Sequence, residues 1–226
     1  MKFANYPEVF RELSTQGFKG LYKGNLCGIL YHWLGTTLKL KGAFYFEEKT
    51  MKKNAFSKEI ILFSLYTLID MALHPIQTLQ TRLILQNANK KLALYKNSFE
   101  FFKDGFKNKR IFFQGVFLHI PKNLLIILLL NLKIKNFDKN QAFILNNLLA
   151  NIIVYPIMTI MRRMMCQDDG KPWMLERHYK NSWNALMKIR KEEGAFKGCF
   201  KGFSGFFVVS SFMLALNFTY QENINY

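Results

Sequence analysis

The chain has 226 residues and a formal net charge of +17, yet half of its residues are hydrophobic and 16% are aromatic. So much apolar surface excludes a disordered chain, and it does not fit a basic domain that simply binds nucleic acid. The mean hydropathy of −0.02 argues against a conventional membrane protein with long uninterrupted apolar runs. We therefore expect either a soluble protein or a membrane protein whose helices are unusually polar.

Neither secretion nor metal binding is indicated. Cys27, Cys166 and Cys199 are far apart, so we expect three reduced thiols and no zinc site. No apolar segment of a signal peptide follows the first residues. The four histidines share no ligand spacing and are expected to be structural or surface residues: His32, His74, His119 and His178. Because no nucleophile–base pair, phosphate-binding loop or metal cluster stands out, the sequence does not predict an enzyme.

Five apolar stretches of roughly 20 residues are the candidate helices. In chain order they cover approximately 25–46, 60–80, 112–134, 142–166 and 203–220. Each contains polar residues, which lipid tolerates only where they face protein or a wet cavity. Asp70, inside one of these apolar stretches, is a site candidate. Ser64, Thr67 and His74 lie at helical spacing from Asp70 and could form its hydrogen bonds, which favours a structural role.

Three patterns recur along the chain, and the glycine turns give a period of about ninety residues. Residues 73–78 return as 154–159, each with a Pro that is followed by an Arg and then a Gln at matching distances. A Tyr-Lys-Asn-Ser segment at 95–98 returns at 179–182 and is predicted to open a short amphipathic helix, with Phe99 and Phe102 or Trp183 as its aromatics. An aromatic-basic-Gly turn at 22–24 returns at 200–202 and, less well, at 113–115. Residues 6–17 take the place of the first amphipathic helix.

These repeats resemble the mitochondrial carrier family, whose three repeats each contribute two transmembrane helices around a central cavity. The closest passage runs from Tyr155-Pro156 to Gly202 and looks like the third repeat of an ADP/ATP carrier, with Met161 in place of an arginine and Cys166 in place of a methionine. The resemblance implies an all-α membrane protein with five transmembrane helices and three short amphipathic matrix helices. It implies one carrier-like domain over 1–226, with a partial repeat 1 (1–55) that lacks the first helix, repeat 2 (56–138) and repeat 3 (139–226).

The charges on which the family depends are missing. In a carrier each kink Pro is followed by an acid and then a base, which pair into a salt-bridge ring that closes the cavity on the matrix side. In this chain those places are uncharged, and the degenerate motif residues are Pro75, Gln77, Gln80, Arg82, Pro156, Met158, Met161 and Arg163. The substrate contacts fall at Tyr31, Ile127 and Val209, where nucleotide phosphates would need cations. Lys122 and His32 lie in the same helices and could line a cavity.

In the family the glycine turns hold cardiolipin, and free N–H groups at a helix start beside a Lys favour an anion. The resemblance therefore implies lipid contacts at Tyr22, Lys23, Gly24, Gln114, Gly115, Phe200, Lys201 and Gly202. No cofactor other than bound cardiolipin is expected.

The sequence thus predicts a carrier-like protein without transport, acting as a structural or accessory subunit of a large complex in the mitochondrial inner membrane, such as a respiratory complex. A neighbouring subunit is expected where the first helix would lie. An active solute transporter of ADP/ATP-carrier type with an altered substrate is the alternative. A weaker alternative is a basic peripheral membrane or nucleic-acid-binding protein, since residues 103–110 suit anionic lipid or nucleic acid. The missing polar helix for reading a duplex favours lipid over nucleic acid.

Overall fold

The structure is a computed structural model that describes residues 24–50, 55–87, 98–107, 109–131, 139–167 and 179–212. Within these ranges the chain is helical and contains no β-strand, which confirms the predicted all-α class. The helices are α1 (Asn25–Thr50), α2 (Ala55–Asn87), α3 (Ser98–Lys107), α4 (Arg110–Phe113), α5 (His119–Leu130), α6 (Lys139–Met165), α7 (Ser182–Glu193), α8 (Ala195–Cys199) and α9 (Phe203–Phe212). The helix expected over 6–17 lies outside the described residues.

Two helices are long and apolar enough to cross a membrane, over Ser57–Ile84 in α2 and Ile144–Met165 in α6. The apolar segments Val116–Leu130 and Phe203–Phe212 are shorter within the described ranges. Helix α1 has 26 residues, and a rise of about 1.5 Å per residue makes it long enough to span a bilayer, although it carries charged residues. The number of five transmembrane helices therefore stays a prediction.

The third apolar stretch is not one helix, and this corrects the expectation of a continuous element over 112–134. A turn at Gly115 and a short 3-10 helix, Val116–Leu118, separate α4 from α5. The break follows from the backbone of Gly115, whose φ of 82° is left-handed and interrupts an α-helix.

The same left-handed glycine starts three apolar helices. Gly24, Gly115 and Gly202 have φ values of 87°, 82° and 80°, and α1, α5 and α9 follow them. Glycine adopts this conformation at low cost, whereas a side chain would be strained there. The repeat in the sequence is thus also a repeat in the backbone.

Neighbouring helices in the chain pack against one another, α1 on α2, α2 on α5, and α5 on α6, while Tyr155 of α6 contacts Phe203 and Phe206 of α9. Three glycines spaced seven residues apart in α1 form a seam along α2, which we call the glycine seam. Its pairs are Gly28 with Gln80, Gly35 with Leu73, and Gly42 with Leu65. Because the residue numbers rise in α1 and fall in α2, the two helices are antiparallel, and the missing side chains let them approach closely.

Helices α3 and α7 begin where the Tyr-Lys-Asn-Ser segments predict. In α7 the side chain of Asn181 caps the helix by accepting a hydrogen bond from the backbone N–H of Asn184 at 2.7 Å. In α3 the fully buried aromatic is Phe101, which packs against Phe112, whereas Phe99 is exposed. The helix is therefore amphipathic as predicted, and Phe102 packs against the same cluster, although the sequence did not single out the fully buried Phe101.

Candidate functional site

Six polar side chains from three helices meet inside the bundle, and we call them the ionic cluster. They are Lys39 from α1, Asp70 and His74 from α2, and His119, Lys122 and Asn123 from α5. The carboxylate of Asp70 lies at the centre and is only 2% exposed. Its Oδ1 pairs with Lys39, while its Oδ2 lies 2.7 Å from Lys122 Nζ and accepts a hydrogen bond from Asn123 Nδ2 at 3.1 Å. A buried carboxylate of this kind is stabilised only by such partners.

The expected partners of Asp70 on its own helix were wrong. Ser64 donates its hydroxyl to the carbonyl oxygen of Ile60 at 2.8 Å instead. Thr67 accepts from Asn123 at 3.4 Å. The partners of Asp70 come from α1 and α5, and helical spacing within one segment cannot identify residues on other helices.

His74 and His119 belong to the cluster as a pair of fully buried rings. His74 Nε2 lies 3.0 Å from the carbonyl oxygen of Gln114, and because a carbonyl oxygen only accepts, Nε2 carries the proton. Because the ammonium group of Lys122 only donates, His119 Nδ1 accepts from it at 3.2 Å, and His119 Nε2 therefore donates to His74 Nδ1 at 3.0 Å. Both rings are therefore neutral, and the hydrogen bonds run in one direction from Lys122 to Gln114.

The cluster carries one surplus positive charge, since two ammonium groups face one carboxylate and the histidines are neutral. Lys122 is mostly buried, whereas the side chain of Lys39 is 29% exposed and its ammonium lies 5.6 Å from the centre of the Tyr66 ring. The aromatic face offers Lys39 a second favourable contact. From the sequence, Lys122 and His32 could both line a cavity. In the structure His32 is exposed.

The residue before each kink Pro makes the same contact in both repeats. The hydroxyl of Tyr155, before Pro156, donates to the carbonyl oxygen of Lys201 at 2.7 Å. The Nε2 of His74, before Pro75, donates to the carbonyl oxygen of Gln114. Each acceptor belongs to the residue before a left-handed glycine. A polar side chain thus ties each long helix to the turn that starts the next apolar helix.

Two buried arginines hold the ends of these helices. Arg82 donates from Nε to the carbonyl oxygen of Met165 at 2.8 Å and from Nη2 to that of Gln167 at 2.9 Å, and its guanidinium lies 5.6 Å from the centre of the Phe101 ring. Arg163 donates twice to Glu193, with both distances at 2.7 Å. Charge-assisted bonds of this kind are stronger than neutral ones.

The Gln that follows the Arg in each repeat was not expected to have a structural role, but in the last repeat it anchors the backbone. The side chain of Gln167 donates to the carbonyl oxygen of Tyr179 at 3.1 Å and accepts from its N–H at 2.7 Å. This pair of bonds fixes the chain just before α7. The sequence contained one sign of this contact, since a Gln followed by a Tyr occurs in both repeats, as Gln86 with Tyr95 and Gln167 with Tyr179.

The positions that correspond to the salt-bridge ring of the family are uncharged in this chain, and we call them the latch positions. Their side chains are packed or partly buried. Pro75 and Pro156 lie within α2 and α6, which continue through them. Gln80 lies against Gly28 and Met161 against Gly115, while Gln77 and Met158 are half-buried. The proposed substrate positions lie on three separate helices: Tyr31 in α1, Ile127 in α5 and Val209 in α9. Their role stays a prediction.

Of the expected lipid contacts, Tyr22 and Lys23 lie outside the described residues. Gln114 is buried, and its amide nitrogen can donate to the carbonyl oxygens of Gln167 and Met164 at 2.7 and 3.0 Å. Lys201 is exposed, and Phe200 stacks on Tyr155 with ring centres 6.0 Å apart. The third turn therefore presents a cation, whereas Gln114 in the second turn faces protein. Cardiolipin binding itself stays a prediction.

Possible metal ligands and cysteine thiols are the other chemical groups to consider among the described residues. They include no group of three or more His, Cys, Asp or Glu side chains that could hold a metal ion. All three cysteines are free thiols, as predicted. Burial raises the pKa of the Cys166 thiol to about 12, so it stays protonated at neutral pH.

The described residues thus combine two helices of membrane-spanning length with glycine turns about ninety residues apart. A family model described as mitochondrial carrier protein matches residues 144–225, which include most of α6 and all of α7, α8 and α9. The match covers less than half of the chain, and it shows that this part is similar to the mitochondrial carrier family, whose members are transporters. A comparison with curated proteins finds no match.

Proposed function

We propose that this carrier-like membrane protein does not transport a solute and acts as a structural subunit of a large complex in the mitochondrial inner membrane. The observation that carries the proposal is the chemistry of the latch positions. Gln77, Gln80, Met158 and Met161 stand where opposite charges would pair. A latch that opens and closes needs electrostatic attraction between its halves, and methionines offer only dispersion contacts.

The ionic cluster supports the same proposal, because it ties α1, α2 and α5 together through charges. Separating these helices would leave the carboxylate of Asp70 and the ammonium group of Lys122 buried without their partners. Breaking a buried ion pair in this way typically costs about 3–5 kcal/mol. Alternating access requires the helices around a central cavity to move apart, so such a cluster favours one fixed arrangement.

The exposed basic residues indicate which surfaces the proposed subunit would bind. Lys103, Lys107 and Arg110 are exposed on α3 and α4, and Arg190 and Lys191 are exposed on α7. Exposed cations attract anionic lipid and acidic protein surfaces. The proposed partners are therefore other subunits of the complex together with cardiolipin at the glycine turns.

Two measurements on the same membranes test the proposal. Native electrophoresis of gently solubilised mitochondria is expected to show the chain migrating with a large complex. The purified chain in liposomes is expected to exchange neither ADP and ATP nor other metabolites, while a transport-competent member of the family serves as the positive control. Migration near the mass of the single chain, together with exchange in liposomes, would refute the structural role.

A transporter with an altered substrate is the second candidate, and one observation favours it. The surplus positive charge of the ionic cluster lies in the interior, where a solute with one negative charge would be attracted. This candidate predicts exchange in liposomes that Lys122→Met abolishes. The matched variant Lys41→Met removes an exposed lysine from α1 and should leave that exchange unchanged.

A further inference from the structure

The carboxylate of Asp70 is surrounded by hydrogen-bond donors in the way that proteins surround a bound carboxylate. Lys39 pairs with one oxygen, and Lys122 and Asn123 bind the other at 2.7 and 3.1 Å. All three donors lie on helices other than α2, which carries Asp70. Two cations and an amide directed at both oxygens are a typical recognition set for carboxylates.

The donors on α5 are held in position by neighbours other than Asp70. Lys122 also donates to His119 Nδ1 at 3.2 Å, and His119 is in turn fixed by its bond to His74. Asn123 also donates to the hydroxyl of Thr67 at 3.4 Å. These additional bonds help to hold Lys122 and Asn123 in position.

We propose that Lys39, Lys122 and Asn123 form a carboxylate-binding cradle and that Asp70 is its built-in occupant. A free carboxylate would have to displace one that is tethered to α2, so in the native chain Asp70 keeps the carboxylate position of the cradle filled. When the tethered carboxylate is removed, the cradle becomes a binding site for a small free monocarboxylate. This inference concerns the cradle alone and holds whether or not the chain transports a solute.

Electrostatics gives the emptied cradle its affinity. Without Asp70, the ammonium groups of Lys39 and Lys122 are left with no acid among the residues named in the cluster, since His74 and His119 are neutral. Two unpaired cations in a helix bundle strongly favour an anion between them. The space vacated by Asp70→Ala matches a carboxylate group, so formate fits and bulkier carboxylates fit less well.

Chemical rescue of the purified full-length chain in detergent tests the cradle. Asp70→Ala is expected to lower the thermal midpoint, and sodium formate is expected to restore it along a saturable curve that sodium chloride at equal ionic strength does not reproduce. Acetate should be weaker than formate. Wild type and Asp70→Asn should show no specific response, because both fill the space.

The double variant Asp70→Ala/Lys122→Met supplies the control for the donors and should lose the formate response. If Asp70→Ala does not survive solubilisation alone, the yield of monodisperse protein purified in formate, compared with chloride, gives the same readout. A response to formate no larger than to chloride, or an equal response in the double variant, overturns the cradle. Neither result bears on the liposome assay of the wild-type chain, so the two proposals fail separately.

Discussion

Lys122 connects the two halves of the ionic cluster, because its ammonium group bonds both the carboxylate of Asp70 and the ring of His119. An ammonium group has three donors and no acceptor, and two of these donors are used in this way. The carboxylate alone would still have Lys39, but the histidine pair has no other cation within hydrogen-bond distance in the cluster as described. The residue thus controls both the charge balance and the direction of the hydrogen bonds.

We expect Lys122→Met to destabilise the chain by about 3 kcal/mol, because it removes one partner of a buried ion pair and leaves His119 Nδ1 without its donor. Thermal unfolding in detergent measures the effect. Lys41→Met removes an exposed lysine from α1 and should change stability little. Equal midpoints for the two variants would show that the cluster contributes little to stability.

Cys166 should resist thiol reagents in the folded chain. Burial raises its pKa to about 12, and a raised pKa means that less of the thiol is present as reactive thiolate at any pH below it. At pH 8 we expect iodoacetamide to modify Cys166 only after denaturation, as measured by mass spectrometry. An exposed thiol introduced on α7 as Lys191→Cys is the control and should react without denaturant. Rapid modification of folded Cys166 would contradict its buried environment.

The sequence identified some members of the ionic cluster but not their pairing. Asp70 stood out as an acid in an apolar stretch, and Lys122 was expected to be able to line a cavity. Pairing depends on how far α1 and α5 are shifted along α2, and nothing within a single apolar stretch records that shift. The histidine pair was missed for the same reason, since His74 and His119 are 45 residues apart.

At the scale of helices, the glycine seam fixes the position of α1 along α2. Gly28, Gly35 and Gly42 share one face because seven residues are close to two helical turns. The space differs along the seam. A Cβ atom at Gly35 would lie 3.4 Å from Leu73, an ordinary contact, whereas one at Gly42 would lie 2.6 Å from Leu65.

Alanine at two seam positions should therefore have opposite effects. Gly42→Ala is expected to destabilise the chain by about 1–3 kcal/mol through overpacking against Leu65. Gly35→Ala fits the available space and should stabilise the chain by up to about 1 kcal/mol, because alanine favours a helix over glycine. Thermal midpoints of the two purified variants decide the matter, and a change of the same sign in both would contradict the seam.

The sequence predicted which segments are helical better than it predicted where each helix begins and ends. The helix that was expected over 60–80 covers Ala55–Asn87 in the structure. It continues on both sides of the apolar stretch, where the apolar pattern no longer marks it. The turn at Gly115 was recognised as a repeated motif, yet the apolar residues on both sides of it concealed the break in the helix. Repeats located the turns better than hydropathy did.

At the scale of the whole molecule, Arg82 joins two repeats. Its bonds to the carbonyl oxygens of Met165 and Gln167 connect the end of α2 to the end of α6. These carbonyl groups lie at the end of a helix, where the backbone has no partner of its own and a cation is favoured. Arg163, by contrast, pairs with Glu193 within the last repeat.

Loss of the Arg82 side chain should loosen the contact between the repeats. We expect Arg82→Met to destabilise the chain by about 3 kcal/mol, since two carbonyl groups lose a charged donor. Arg162→Met, at an exposed position of α6, should have little effect. Chemical unfolding followed by tryptophan fluorescence measures both. A variant at Arg82 that is as stable as the one at Arg162 would show that the repeats hold together without it.

The bonds between kinked helices and glycine turns also imply an order of assembly. His74 reaches Gln114 across 40 residues and Tyr155 reaches Lys201 across 46, whereas Arg82 reaches Met165 across 83. Contacts between residues close in sequence form with a smaller loss of chain entropy. These two contacts are therefore expected to form before the bond made by Arg82, which closes the longest of the three loops.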